Sequence, residues 1–446
     1  MASAAAVLLT GVAIMQAIEL RRITRERDRA DRVTEFMTNM FKVSGPSEAR
    51  GNTITAREIL DKSSNEIGTG LVGDPELKAQ MLQVMGTVYE SLGLYRRAEP
   101  LVQQATEIRR RVLGAADPSA LDSARQLAWI VAEQESRSAE AIEMDRDLVE
   151  VERRELGPNH RTTLATESDL SRILGLAGRY DEAATLCRKV VERQRRVLGI
   201  DHPETLESER RMALVLVQQG NFAEADKTLQ TNLEIRRRVF GSEDPKTLIV
   251  MDDLASVLAD EGLYDEAEQR YRQTLVAETR LLGLDHPDTL GTMGNLATVL
   301  EGQKRYAESE RVQRDVLARC RRVLGSDHPL TALALYNIAD VLYEQHRYSE
   351  AANTLKETVD IQSRVLGLNH KDTVDSVFKL ARDLALAKEP EGALLWLREA
   401  VHRGINANCI DDLDKGSDCK SLRSDQHFIE IVAQAHKRAP TLKKDN

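Results

Sequence analysis

The chain has 446 residues, of which 30% are charged and only 4% aromatic, and its formal net charge is -10. This acidic balance argues against a nucleic-acid-binding protein, because such proteins present a basic face to the phosphates. The cysteines Cys187, Cys320, Cys409 and Cys419 form no CxxC pair, which excludes a zinc site of the usual spacing. We interpret the first two as buried helical residues. The last two are ten residues apart and are candidates for a disulfide in an oxidising compartment.

An apolar segment comes first. No charged residue occurs from 2 to 18, and as a helix this run spans roughly 26 Å, close to the roughly 30 Å hydrocarbon layer of a bilayer. We predict an uncleaved single-pass membrane anchor at 1–20, with a frayed helix end of a cytoplasmic protein as the alternative. Five arginines between 21 and 29 follow, so the positive-inside rule predicts a cytoplasmic remainder.

The segment 21–73 is predicted to be a charged helix and a linker helix. The charged helix (19–42) continues from the apolar run, and the linker helix (53–67) follows after a loop. The segment 68–73 matches the GxGxxG pattern of phosphate-binding loops. A nucleotide loop follows a strand and opens a helix, whereas here a helix precedes and Asp74-Pro75 follow. We therefore interpret 68–73 as a connecting loop.

From 74 to 403 the sequence repeats every 42 residues, which is typical of a helical repeat array. One extra residue is inserted near Glu135. The repeated glycines are Gly157, Gly199, Gly241, Gly283, Gly325 and Gly367. Each period contains two predicted helices, and the second ends at this glycine, which suits a left-handed C-cap.

The first helix of a period begins at a proline such as Pro203 or Pro287, and the Asp or His before it is predicted to cap the first turn. An aromatic residue marks the turn between the two helices. Each helix carries a small residue at one fixed place, where we predict that the two helices cross closely. These small residues are Gly86, Ala128, Ser171, Ala213, Ala255, Ala297, Ala339 and Ala381 in the first helices and Ala98, Ala141, Ala183, Ala225, Ala267, Ser309, Ala351 and Ala393 in the second.

These motifs resemble the tetratricopeptide repeat, specifically the 42-residue variety of kinesin light chains. The resemblance rests on TLGTMGNLATVL (289–300), GLYDEAEQRY (262–271) and RRVLGSDHP (321–329) and covers roughly 74–403. It implies an all-α fold, a right-handed superhelical solenoid of about eight antiparallel helix pairs. Two units depart from the pattern, with Ser138 and Pro390 in place of the aromatic residue.

Residues 404–446 are predicted to form a capping helix and tail. The segment 421–439 is amphipathic, and its Phe428, Ile431 and Val432 are placed to cover the exposed edge of the last repeat.

The order of an apolar segment, an Arg-rich helix, TAREILD (55–61) and 42-residue repeats is similar to the C-terminal half of bacterial membrane-anchored serine/threonine kinases. That resemblance places the repeats outside the cytoplasm, opposite to the positive-inside reading, and both stay open. The catalytic half is missing, and no other enzyme motif appears, so we predict no enzymatic activity and no cofactor.

Five loop histidines recur once per repeat, but neighbouring repeats stack roughly 8 to 10 Å apart, too far to share one metal ion. We interpret them as loop or capping residues and predict no metal. They are His160, His202, His286, His328 and His370.

The predicted function is a protein-interaction scaffold, tethered to the membrane or facing the periplasm, that binds an extended or helical peptide segment along the concave wall of first helices. Asn295 and Asn337 are the best candidates for contact with a peptide backbone, and Arg211 and Lys379 favour acidic segments. The full predicted set is Gln126, Asp169, Arg211, Asp253, Asn295, Asn337 and Lys379. The alternative for these residues is that they are ordinary solvated polar positions. The alternatives for the function are the sensor or docking region of a serine/threonine kinase and a soluble assembly platform without membrane contact.

Overall fold

The computed structural model describes Ile67 and residues 74–91, 93–134 and 137–442. The apolar segment 2–18, the charged helix, the loop 68–73 and the insertion near Glu135 lie outside the described residues. None of the described helices has the length and apolar character that a membrane span requires.

The described chain consists of α-helices joined by short turns, and this part of the chain contains no strand, as predicted. The first helices of the eight pairs are α1 (Pro75–Ser91), α3 (Pro118–Ala132), α5 (Arg161–Leu176), α7 (Pro203–Gln218), α9 (Pro245–Asp260), α11 (Pro287–Gly302), α13 (Pro329–Glu344) and α15 (Lys371–Leu386). The second helices are α2 (Tyr95–Leu113), α4 (Ser138–Glu155), α6 (Tyr180–Val197), α8 (Phe222–Val239), α10 (Tyr264–Leu281), α12 (Tyr306–Val323), α14 (Tyr348–Val365) and α16 (Pro390–Arg403).

The loop histidines cap the first helices, which confirms their predicted structural role. The Nδ1 of His202 accepts the backbone N–H of Glu204 at 3.2 Å, and His328 accepts that of Leu330 at 3.1 Å. Asp244 caps α9 through Thr247 in the same way. Each cap satisfies a backbone donor that has no partner inside the helix.

The predicted small residues are all buried in both helices of every pair. At such positions two backbones approach closely, because no large side chain separates them. The glycines after the second helices have positive φ, for example 102° at Gly199 and 91° at Gly283, so each second helix ends in the predicted left-handed cap.

The described residues divide into two compact units. The first contains the residues up to Val88 and Pro100–Ser123. Within it, Arg109 is buried and its Nη1 donates to the Ser119 carbonyl and the Ser123 Oγ, each at 3.1 Å.

The second unit contains Tyr89–Glu99 and every residue from Ala124 onwards. Exposed ion pairs link its successive loops in one register: Arg238 with Asp201 at 3.1 Å, and Arg322 with Asp285 at 2.6 Å. Exposed pairs contribute little energy each, so the buried apolar faces between neighbouring hairpins carry most of the stability.

The C-terminal end of the second unit forms the predicted cap. Phe428 and Ile431 of α18 (Gln426–Leu442) are buried in one cluster with residues of α15 and α16, and Val432 packs against it. The helix begins five residues later than predicted, because Asp425 caps it through the His427 N–H at 2.7 Å. A nine-residue helix, α17 (Ala407–Lys415), was not predicted, since it is too short to show a clear period.

Cys409 and Cys419 are both free and buried, so the alternative of a disulfide between them is wrong in this structure. Burial raises the pKa of each thiol to about 11. Cys187 and Cys320 are buried helical residues, as predicted.

Candidate functional site

The seven predicted contact residues all lie on first helices, two positions before the buried small residue, and all are half-buried. Most of them bond to a neighbouring first helix. Arg211 Nη1 lies 2.9 Å from Asp169 Oδ1, and Lys379 Nζ lies 2.8 Å from Asp340 Oδ2. Each of these two cations already faces a carboxylate, so their first role is to join repeats.

Three other members of the set also bond to a residue of a neighbouring first helix. Asp253 pairs with Arg210 at 2.9 Å, and Gln126 Nε2 donates to Glu90 at 2.8 Å. Asn295 Nδ2 donates to Asp252 Oδ2 at 3.1 Å.

A cleft of about 480 Å³ lies between α5, α7 and α9, and we call it the arginine cleft. Arg172, Arg210 and Arg211 line it together with the aliphatic Leu176 and Leu214. Of the residues that line it, only Arg211 and Asp253 were predicted contact residues.

Arg172 is the least neutralised of these cations. Its guanidinium carbon lies 3.1 Å from the centroid of the Trp129 ring, and its ion pair with Asp169 is long, at 4.0 Å. Its Nε is buried without a hydrogen-bond partner. Burial, and then the nearby Arg211, lower the pKa of Arg172 to about 10, so it remains charged at neutral pH. An anion bound in the cleft offsets both the cost of burying the Arg172 charge and its repulsion by Arg211.

A second, smaller pocket of about 50 Å³ lies between α11, α12 and α13, and we call it the glycine pocket. Asn295 and Asn337 both line it, so the structure brings together the two asparagines that the sequence singled out. Gly291 and Gly294 lie on the α11 side, and a Cβ built on either glycine meets nothing within 4 Å.

Asp145 of α4 and its equivalents in the later second helices, 42 residues apart, form one register of buried residues that differ in polarity. Tyr271 reaches the hydroxyl of Ser256 in the arginine cleft at 2.6 Å, and Cys187 donates to Ser171 at 3.1 Å. Asp145 is fully buried and neither of its carboxyl oxygens has a hydrogen-bond partner. Burial therefore raises the pKa of Asp145 well above its usual range. The full register is Asp145, Cys187, Leu229, Tyr271, Gln313, Leu355 and Leu397.

A second buried register lies at the end of the second helices and contacts the next hairpin. Thr166 donates to Glu152 at 2.9 Å, and the Thr292 hydroxyl lies near Glu278. Burial raises the pKa of Glu278 to about 7 and that of the neighbouring Asp252 to about 6. The register comprises Arg109, Glu152, Gln194, Arg236, Glu278, Cys320 and Gln362. From Glu152 onwards this register recurs every 42 residues, which is a signal in the sequence, but no role was predicted from it.

Among residues 74–91, 93–134 and 137–442, no group of three or more His, Cys, Asp or Glu side chains has the arrangement of a metal site.

Tandem antiparallel helix pairs with this capping and this close crossing define a helical repeat protein. The tetratricopeptide repeat model matches 77–151, 162–225, 205–277, 246–314 and 288–363, together more than half of the chain. The chain therefore belongs to the tetratricopeptide repeat family, as the sequence predicted.

Several solved structures are similar. A Podosopora anserina putative kinesin light chain with nearly identical TPR-like repeats is 25% identical, over 46% of this chain and 97% of that one, with a TM-score of 0.39. BtubC (BKLC) from P. vanneervenii is 16% identical over 50% of this chain and 90% of that one, with a TM-score of 0.44. Yeast Tom70 is 16% identical over 80% of this chain and 66% of that one, with a TM-score of 0.50, and it shares the fold. No curated protein matches the chain.

Proposed function

We propose that the chain is a scaffold that binds polypeptide segments along the face of its first helices, with a carboxylate of the bound segment in the arginine cleft. The observation that carries the proposal is Arg172, a charged guanidinium with a buried, unpartnered Nε in a cleft of about 480 Å³. A carboxylate is the natural partner, because it accepts two hydrogen bonds from one guanidinium.

The surroundings of Arg172 favour binding over a purely structural role. The Trp129 ring holds the guanidinium in place, so little side-chain entropy is lost when a ligand arrives. The pair between Arg211 and Asp169 fixes the neighbouring wall. Leu176 is 47% exposed at the edge of the cleft and offers an apolar contact beside the charge. The favoured ligand is therefore a segment with an acidic residue next to an aliphatic one.

Selection of a displayed library of random peptides on the full chain tests this function. We expect selected peptides to be enriched in Asp or Glu beside an aliphatic residue. Arg172→Gln should weaken their binding by about tenfold or more, since a charge-assisted hydrogen bond is lost.

Arg196→Gln is the matched control. Arg196 is an exposed arginine of α6 that pairs with Glu192 at 2.8 Å and does not line the arginine cleft. The proposal fails if no peptide is selected, or if Arg172→Gln and Arg196→Gln bind the selected peptides as tightly as the wild-type chain.

The membrane tether and the association with a serine/threonine kinase stay predictions. They rest on the apolar segment 2–18 and on the motif at 55–61, which lie outside the described residues. The anchor, linker, repeat and cap boundaries are likewise proposed from the sequence.

A further inference from the structure

We propose that the glycine pocket is a docking site for the main chain of an extended peptide, and that a peptide N–H donates there to Gln313. This inference rests on the proposed function. It specifies that the glycine pocket recognises the main chain of the bound segment.

The lining of the glycine pocket suits a neutral group of the ligand. None of the residues that line the pocket is charged, in a chain whose residues are 30% charged. The side chain of Asn337 makes no hydrogen bond in the described part of the chain, and the side chain of Asn295 uses only its Nδ2, toward Asp252. Side-chain amides donate and accept, which is what a neutral peptide group requires of its partners.

Gln313 is 1% exposed at the base of the pocket. Its Nε2 donates to the Gly294 carbonyl at 3.1 Å, while its Oε1 has no hydrogen-bond partner. A buried amide oxygen without a donor is costly, and an arriving N–H removes that cost. Three other repeats have leucine in this register, Leu229, Leu355 and Leu397, so packing alone does not require a glutamine.

Two glycines of α11 line the same pocket. Gly291 and Gly294 lie one turn apart inside a helix, where glycine is less favourable than alanine. Neither is required by neighbouring atoms, because an added Cβ meets nothing within 4 Å. What the glycines provide is an open surface at which another backbone can approach the helix closely.

The two places suit a single ligand. The arginine cleft is bordered by α9, and the glycine pocket by α11, the next first helix. Arg172 lies on α5 and Gln313 in the pocket between α11 and α13, so about three first-helix spacings of roughly 10 Å separate them, a distance that about ten residues of extended chain cover. One extended segment of about ten residues can therefore place a carboxylate at Arg172 and a peptide group at Gln313.

The test uses peptides selected on the full wild-type chain from the displayed library. The double variant Gly291→Ala, Gly294→Ala should unfold at a higher denaturant concentration and yet bind these peptides about tenfold more weakly, because the new methyl groups occupy the approach. Loss of binding together with a gain in stability cannot come from misfolding. Thr231→Ala, on the exposed face of α8, is the control for a helix made more stable elsewhere, and it should bind normally.

A second measurement addresses the hydrogen bond. Single N-methyl groups placed along a selected peptide should reveal one position where methylation weakens binding to the wild-type chain but not to Gln313→Leu. The inference is overturned if the peptides bind in an Arg172-dependent way while the double alanine variant binds them unchanged, or if every N-methyl effect persists in Gln313→Leu. Failure to select any peptide on the wild-type chain would instead count against the proposed function itself.

Discussion

Glu278 makes the stability of the α9, α10 and α11 region depend on pH. It is 2% exposed, lies near the Thr292 hydroxyl, and has an Oε2 without a partner. Burial is the main cause that raises its pKa from 4.5 to about 7, and the carboxylates of Asp252 and Asp288 add to it. The neutral carboxyl is therefore the form that the folded chain favours.

The sign follows from the direction of this shift. Because the folded pKa lies above the unfolded one, the stabilisation is fully present below the unfolded pKa and is lost as the pH rises through the folded pKa. A shift from 4.5 to about 7 corresponds to about 3 kcal/mol, most of it lost between about pH 5 and about pH 8. Glu278→Gln keeps the shape and removes the titration, and Gln194 and Gln362 already occupy this register in other repeats.

Urea unfolding followed by circular dichroism, at about pH 5 and about pH 8, measures the effect. The free energy of unfolding of Glu278→Gln minus that of wild type should be about 2 kcal/mol larger at about pH 8 than at about pH 5. Glu266→Gln, an exposed carboxylate of the same helix, is the matched control and should show no such gain. A difference between Glu278→Gln and wild type that is the same at both pH values would refute the reasoning.

Two further substitutions test individual residues. Asp145→Leu should raise the free energy of unfolding by about 2 kcal/mol at neutral pH, because it removes a buried carboxyl without a partner and other repeats have leucine, Leu229 and Leu355, at the same position. A variant that is less stable than wild type in urea unfolding would contradict this. Lys304 has a φ of 63° at a turn where other repeats have glycine. Lys304→Gly should therefore raise the free energy of unfolding by up to about 1 kcal/mol in urea unfolding. A loss of stability would show that the lysine makes a compensating contact.

The candidate site was only partly predictable. The asparagines of the glycine pocket were found because their register follows from the repeat. Arg172 was missed because its importance depends on Trp129 of the preceding repeat and on a cleft between three helices. The roles of Arg211 and Lys379 also changed, since each pairs with a carboxylate one repeat away.

The sequence by itself determined the repeat length, the ends of the hairpins and their closest crossings. These features depend on local sterics and hydrogen bonding: proline and a histidine or aspartate cap begin a helix, glycine ends it, and a small residue admits a neighbouring helix. Only the tertiary structure decided which polar side chains are paired, buried or left open. Those outcomes depend on atoms from successive hairpins meeting in three dimensions, and the spacing of residues along one chain does not specify such meetings.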